Sequence, residues 1–244
     1  RALREMEVWK ELRHRHILPF LGSVTLGGRI HMVSPWMKNK DIMQYLRQPQ
    51  NLNVDCTFLL LQIALGLQYL HTRDPPVIHG DIKGENILIS DSLEACICDF
   101  GLSQSQDGSI VTNSYTWQVA GNPRWQAPEL LMAETTALGQ RTKSSDIFAF
   151  GRVIVQLVTR QHPFPEVENS HAVVLKVVKG EAPPRPGSSE MDDRMWDLVN
   201  KCCSYNPDRR PDIDGVLRRL QRIIELRDAR LTKLLSFFQS FRFY

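Results

Sequence analysis

The chain has 244 residues, 42% of them hydrophobic and 23% charged, which is ordinary for a globular protein and enough for a buried core. Its formal net charge of +3 is too mild to argue for a nucleic-acid or membrane partner. No apolar run approaches the ~18–20 residues that a membrane helix needs, so no membrane segment is expected.

Leu3, Met6 and either Trp9 or Lys10 mark a helical spacing, and a helix is predicted over residues 1–12. A turn-like His14-Arg15-His16 follows, then an apolar segment from Ile17 to Val24. Gly27-Gly28 is a hairpin signal, with Ile30 to Ser34 as the returning strand, stopped by Pro35. A short helix fits Asp41 to Arg47. Val54 to His71 predicts a strong helix with Asp55 able to cap it. Phe58, Leu61, Ile63, Leu65, Leu67 and Leu70 make that helix apolar nearly all round, which implies burial. Pro75-Pro76 ends it. Two short β-rich runs come next, Ile87 to Ile89 and Ala95 to Cys98. A loop of roughly thirty residues from Asp99 to Glu129 is longer than compact domains usually tolerate without a function. Helices are then expected over Ile147 to Val158, near Ala172 to Lys179, over Met191 to Cys203, and from Ile213 onward. Strands early and helices late indicate an α+β fold with a helical larger part.

Five cysteines (Cys56, Cys96, Cys98, Cys202 and Cys203) are odd in number and contain no C-x-x-C pair, which speaks against a disulfide framework or a zinc site. Reduced thiols and a charged first segment without a signal core point to an intracellular, cytoplasmic protein.

Chemistry concentrates in His79-Gly80-Asp81-Ile82-Lys83-Gly84-Glu85-Asn86. Taken alone, D-x-K-x-x-N is also compatible with a polar surface loop. Asp99-Phe100-Gly101 stands thirteen residues after Asn86, behind a predicted strand. Ala127-Pro128-Glu129 closes the long loop, and Ser145-Asp146-Ile147-Phe148-Ala149-Phe150-Gly151 opens the next helix. In this order and spacing the four segments resemble the catalytic domain of eukaryotic-type protein kinases over residues 1–226, with a protein-kinase-like α+β fold.

That resemblance implies ATP and Mg²⁺ as cofactors and a protein as substrate. Asp81 would accept the proton of the attacking hydroxyl, and Lys83 would neutralise the transferring phosphoryl group. Asn86 and Asp99 would supply hard oxygen ligands to Mg²⁺. Phe100 would be a packing switch, and Gly101 would permit the backbone turn. Glu129 would pair with Arg210, and Asp146 would hold the catalytic-loop backbone; the bland alternatives are a surface charge and a helix cap. Glu5, with Glu7 as the competing residue, would be the ion-pairing glutamate of the regulatory helix. Met32 to Met37 resembles the hinge between lobes, with Ser34 as gatekeeper, backbone groups of Pro35 and Met37 on the adenine edge, and Leu88 beneath the ring. Trp9, Phe20, His79 and Phe100 would stack as a column between lobes, or serve as plain core. Lys83 favours serine/threonine over tyrosine acceptors, and Gly121 to Glu129 resembles the tyrosine-kinase-like group.

The implied organisation is a kinase domain over 1–226, divided into a partial N-lobe (1–34), a hinge (35–37) and a C-lobe (38–226), followed by a helical tail over 227–244. Three departures stand out. The glycine-rich loop and the strand lysine are missing, so the chain is expected to be an N-terminally incomplete kinase and a weak nucleotide binder; the alternative is an inactive pseudokinase or a scaffold for signalling partners. Gly80 replaces the arginine that usually precedes the catalytic aspartate and receives an activation-loop phosphate. Arg124 and Lys143 are the nearest replacement cations for the loop hydroxyls Ser105, Ser109, Thr112, Ser114, Tyr115 and Thr116. Asn122 replaces the usual threonine that bonds the catalytic Asp and Lys.

Overall fold

A computed structural model describes residues 2–105, 121–135 and 139–240. Its first helix, α1 (Ala2–Trp9), is shorter than the sequence pattern suggests. Leu12 is still buried at 1% exposure, but from the turn after the helix. The Trp9 indole Nε1–H donates to the Leu18 carbonyl at 2.6 Å, which fixes α1 to the segment that follows.

Strands β1 (Gly22–Leu26) and β2 (Arg29–Val33) form an antiparallel hairpin in the register Gly22↔Val33 to Leu26↔Arg29. Gly27 and Gly28 turn it with φ of 56° and 73°, the left-handed pair that a two-residue hairpin requires. Helix α2 (Ile42–Leu46) starts where expected, because Asp41 Oδ1 accepts from the Met43 and Gln44 amides at 3.0 and 2.9 Å.

Helix α3 (Cys56–His71) is the spine of the core. Asp55 caps it by accepting from the Thr57 amide at 2.8 Å. Leu60, Ile63, Leu67 and Leu70 are 0–1% exposed. Each such side chain contributes about 1.5–3 kcal/mol through burial. Phe58 departs from the expected all-round burial: it lies at 52% exposure on the solvent side of the first turn.

Two short strand pairs pack against this helix. β3 (Val77–Ile78) pairs with β6 (Gln104–Ser105), and β4 (Ile87–Ile89) pairs with β5 (Ala95–Ile97), both antiparallel. The stretch read from sequence as one loop after Asp99 therefore begins with a strand, too short and polar to show a period. His16 to Leu18 add to β5: the Leu18 amide donates to Ile97 O at 2.9 Å, and the Ile97 amide to His16 O at 3.0 Å.

The remaining helices are α4 (Pro128–Leu131), α5 (Lys143–Thr159), α6 (Ser170–Val178), α7 (Asp193–Cys202) and α8 (Ile213–Ser240). Thr142 and Ser145 close a reciprocal capping box at the start of α5. In α7, Met195, Leu198, Val199 and Cys202 recur at i, i+3, i+4 and i+7 and are buried. Ile213, Val216, Leu217, Leu220 and Ile223 do the same for α8. That helix runs without a break through residue 227, where Arg227 donates to Thr57 Oγ1 at 2.5 Å and to Glu190 O at 2.7 Å. The aromatic end of the tail at 241–244 lies outside the described residues, as do Ser109, Thr112, Ser114, Tyr115 and Thr116. Among the described residues, no helix is long and apolar enough to cross a membrane.

Candidate active site

Residues 79–86 lack regular structure apart from one 3-10 turn, Gly84–Asn86, so their backbone groups need side-chain partners. Asp146, in the first turn of α5 and 1% exposed, accepts from the His79 amide at 2.9 Å and the Gly80 amide at 2.8 Å. His71, at the end of α3, contacts the same carboxylate at 2.9 Å. Ser103 Oγ donates to His79 O at 3.1 Å, and Arg141 Nε donates to Gly80 O at 2.9 Å. Gln156 Oε1 accepts from the Gly84 amide at 2.9 Å and from the Trp125 indole at 3.0 Å. The loop is thus cast by side chains drawn mostly from α5 and its approach.

Burial alone would push Asp146 up, but the hydrogen bond from His71, the electrostatic influence of His71 and His79 and the Gly80 amide outweigh it, and the carboxyl is held below its usual range. A carboxylate depressed in the folded state stabilises fully above its unfolded value of about 3.9, and that stabilisation is lost as pH falls through the folded value. Asp146→Asn should therefore be less stable than wild type at pH 7, with the gap closing below about pH 4. Urea unfolding across pH 7 to 2.5 measures this; a gap independent of pH would remove the ionised carboxylate from the account.

Three functional groups converge within the loop. Lys83 Nζ lies 2.6 Å from Asp81 Oδ2, and Asn86 Nδ2 donates to the same oxygen at 2.9 Å and to Asp81 O at 2.8 Å. Asp81 remains accessible, with a side-chain exposure of 11%. Asn86, with its amide nitrogen turned to Asp81, directs its carbonyl oxygen elsewhere. Asp99 follows β5 with φ of 64°, and its Oδ1 accepts from the Gly101 amide at 3.2 Å. The left-handed turn expected of Gly101 is made instead by Asp99, whose short side chain can bond locally in that conformation.

Among the described residues, no three His, Cys, Asp or Glu side chains gather as a cation site. Asn86 and Asp99 nonetheless fit Mg²⁺, which favours one or two protein oxygens and keeps its other positions for water and phosphate.

Phe100 is 1% exposed and lies against Trp9 (ring centroids 6.2 Å apart) and His79 (5.3 Å). Phe20 meets Trp9 at 5.3 Å, so the four rings form one continuous stack from the segment after α1 to the loop. Of the two candidate glutamates, Glu7 pairs with Lys10 at 2.7 Å on the outer face, with 54% of its side chain exposed. Glu5 is half-buried. Burial first, then the charges of Asp99 and neighbours that include Glu5, push the Cys98 thiol up to about 12. Ser34, Pro35 and Met37 are half-buried on the segment leaving β2, and Trp36 between them is 82% exposed. Leu88 is also half-buried, and the adjacent Ile89 amide donates to Lys40 O at 2.9 Å, which brings the two segments alongside each other.

Arg210 grips Glu129 with both terminal nitrogens, at 2.6 and 2.7 Å. Its side chain is fully buried, whereas that of Glu129 keeps 27% exposure. Arg124 is not a replacement phosphate anchor. It is 7% exposed and its guanidinium is used by the carbonyls of Pro163, Phe164 and Val167, which tie the loop after α5 in place. Lys143 begins α5 and lines a cavity of about 360 Å³ that includes Pro207, Arg210 and Asp214. Sequence reasoning passed over His71, Ser103, Arg141 and Gln156. Only the first of them, the final residue of a predicted helix otherwise apolar at its end, left a usable signal.

The family model for the protein kinase domain matches residues 1–220, and the chain belongs to that family. Serine/threonine-protein kinase CTR1 of Arabidopsis thaliana is 26% identical over 227 residues, 91% of this chain and 26% of that protein. Dual specificity protein kinases shkA and shkC of Dictyostelium discoideum are 30% and 29% identical, each over 91% of this chain and over 41% and 43% of their own lengths. The chain spans less than half of the curated relatives it matches, 12% of one of them.

Proposed function

We propose that this chain forms the catalytic part of an intracellular protein serine/threonine kinase of the tyrosine-kinase-like group, transferring the γ-phosphoryl group of ATP to a protein hydroxyl. The observation that carries the reading is the convergence of Lys83 and Asn86 on one carboxylate oxygen of Asp81. Asp81 is the base that receives the proton of the acceptor hydroxyl. Lys83 offsets negative charge as it develops on the transferring group. Asn86 and Asp99 would hold Mg²⁺, which would supply charge neutralisation for the nucleotide's phosphates. Ser34, Pro35, Met37 and Leu88 shape the adenine site, and Glu5 is the ion-pairing glutamate of the regulatory helix α1. Glu129, Asp146 and Arg210 hold the frame. Five unbridged thiols support the intracellular assignment.

The test is transfer from labelled ATP with Mg²⁺ to a mixed peptide pool, followed by analysis of the labelled amino acids. Label on serine and threonine is expected, and Asp99→Asn should abolish it. Label on tyrosine as well would shift the reading toward a dual specificity like that of shkA and shkC. Absence of transfer under conditions where nucleotide binds would leave the scaffold reading.

A further inference from the structure

Position 80, immediately before the proposed base, carries no side chain, and the space it would fill is taken. A Cβ built on Gly80 would lie 2.2 Å from Arg141 Cδ, 2.9 Å from Arg141 Nε and 2.9 Å from Leu102 O. Gly80 also has φ of 78°, where a side chain is strained in any case. Arg141 approaches from the segment before α5, 61 residues away in sequence, and donates its Nε–H to Gly80 O. It is 2% exposed, and its own carbonyl accepts from Gln104 Nε2 at 2.5 Å.

We propose that Arg141 is a positioning residue for Asp81: it occupies the place of the side chain that position 80 lacks and fixes the peptide unit joining Gly80 to Asp81. This deepens the kinase reading and rests on it for its catalytic consequence. A peptide unit is planar, so holding the Gly80 carbonyl also sets the Asp81 amide, which donates to His79 Nδ1 at 3.2 Å. Asp146 holds the two preceding amides from the opposite end. Between them the two side chains leave the backbone on which Asp81 stands little freedom. Burial lowers the Arg141 guanidinium pKa, and the carboxylates of Asp81 and Asp146 counter that in part.

Glycine at 80 and arginine at 141 are therefore one device. A side chain at either position excludes the other, so the two cannot be varied independently.

The experiment compares Arg141→Met, which keeps the stem, with Arg141→Lys, which restores a charged donor. Turnover per folded site should fall at least ~10-fold in the methionine variant, since small displacements of a reacting group cost about that much or more. The Michaelis constants for ATP and peptide should stay within about threefold, because no substrate contact is lost. Lysine should recover part of the lost turnover; a packing role alone would be met by methionine as well as by lysine, with no difference between the two. Amide exchange by NMR supplies a readout independent of activity: the Asp81 amide should exchange at least ~10-fold faster in Arg141→Met while Ile78 is unchanged.

Gly80→Ala should destabilise wild type more than it does the Arg141→Ala background, in a double-mutant cycle. Unchanged turnover and unchanged Asp81 exchange in Arg141→Met would overturn the proposal. If wild type transfers no phosphate, the kinase reading fails. Arg141 as the clamp on residue 80 is then decided by the exchange and the cycle.

Discussion

With a glycine-rich loop and a strand lysine supplied upstream of residue 1, turnover of the Asp81→Ala variant is expected to fall by at least ~10²-fold, the scale on which removal of a general base acts. The geometry makes the effect local. Asp81 keeps 11% side-chain exposure and makes no contact that the core depends on, so the melting temperature should barely move. Asn86 retains its bond to the Asp81 carbonyl in the variant, which preserves the loop. Lys83 loses its partner and is free to follow the phosphoryl group, so nucleotide affinity should not fall. Asp81→Asn gives a sharper version: the shape and much of the hydrogen bonding survive, and only the proton acceptor is gone. Radiolabel transfer at saturating peptide, normalised to folded protein by circular dichroism, measures both. Equal turnover in either variant and wild type would remove Asp81 from the mechanism.

Arg210→Ala should destabilise the fold by about 3–5 kcal/mol, the range for breaking a buried ion pair from one side. Its fully buried guanidinium satisfies both oxygens of Glu129 and donates to Ser204 O at 2.8 Å and Ser144 O at 3.1 Å. It also lies 5.0 Å from the centre of the Phe148 ring. Alanine leaves all of these acceptors without their donor and opens a cavity beside α5. Glu129→Ala should cost less, because Glu129 is partly solvated and the backbone acceptors still hold the arginine. Arg210→Lys should recover only part of the loss, since a single ammonium cannot grip two carboxylate oxygens side by side. Urea denaturation with a common m-value decides it; a loss under about 1 kcal/mol for Arg210→Ala would assign the pair to the weak, exposed kind.

Much of this was legible in the sequence, for identifiable reasons. The helices α3, α5, α7 and α8 announce themselves through long apolar periods. The hairpin is written in Gly27-Gly28. Glu129 with Arg210, and Asp146 with the loop, follow from motif order. What stayed hidden is of two kinds. Strands β3 and β6 have only two residues each, too few to show an alternation. The partners Ser103, Arg141 and Gln156 reach the loop backbone through long-range bonds, and no local pattern marks such a bond. Arg124 shows the opposite failure: proximity in sequence suggested an anion anchor, yet tertiary carbonyls had already claimed its guanidinium.

The dependence of residues 79–86 on side chains from α5 also has a consequence for how the polypeptide is made. Gln156 holds Gly84 across 72 residues, and Asp146 holds His79 across 67. At ~5–20 residues per second on the ribosome, the loop waits roughly 4–14 s between its own synthesis and that of its last clamp. Throughout that interval the apolar face of α3 is finished but uncovered, since α5 and α8 come later. Such non-local closure makes folding slow and the nascent chain prone to association. The region of greatest chemical interest is thus among the last to take shape, and production of the protein should respond more strongly to chaperone supply and growth temperature than its final stability would suggest.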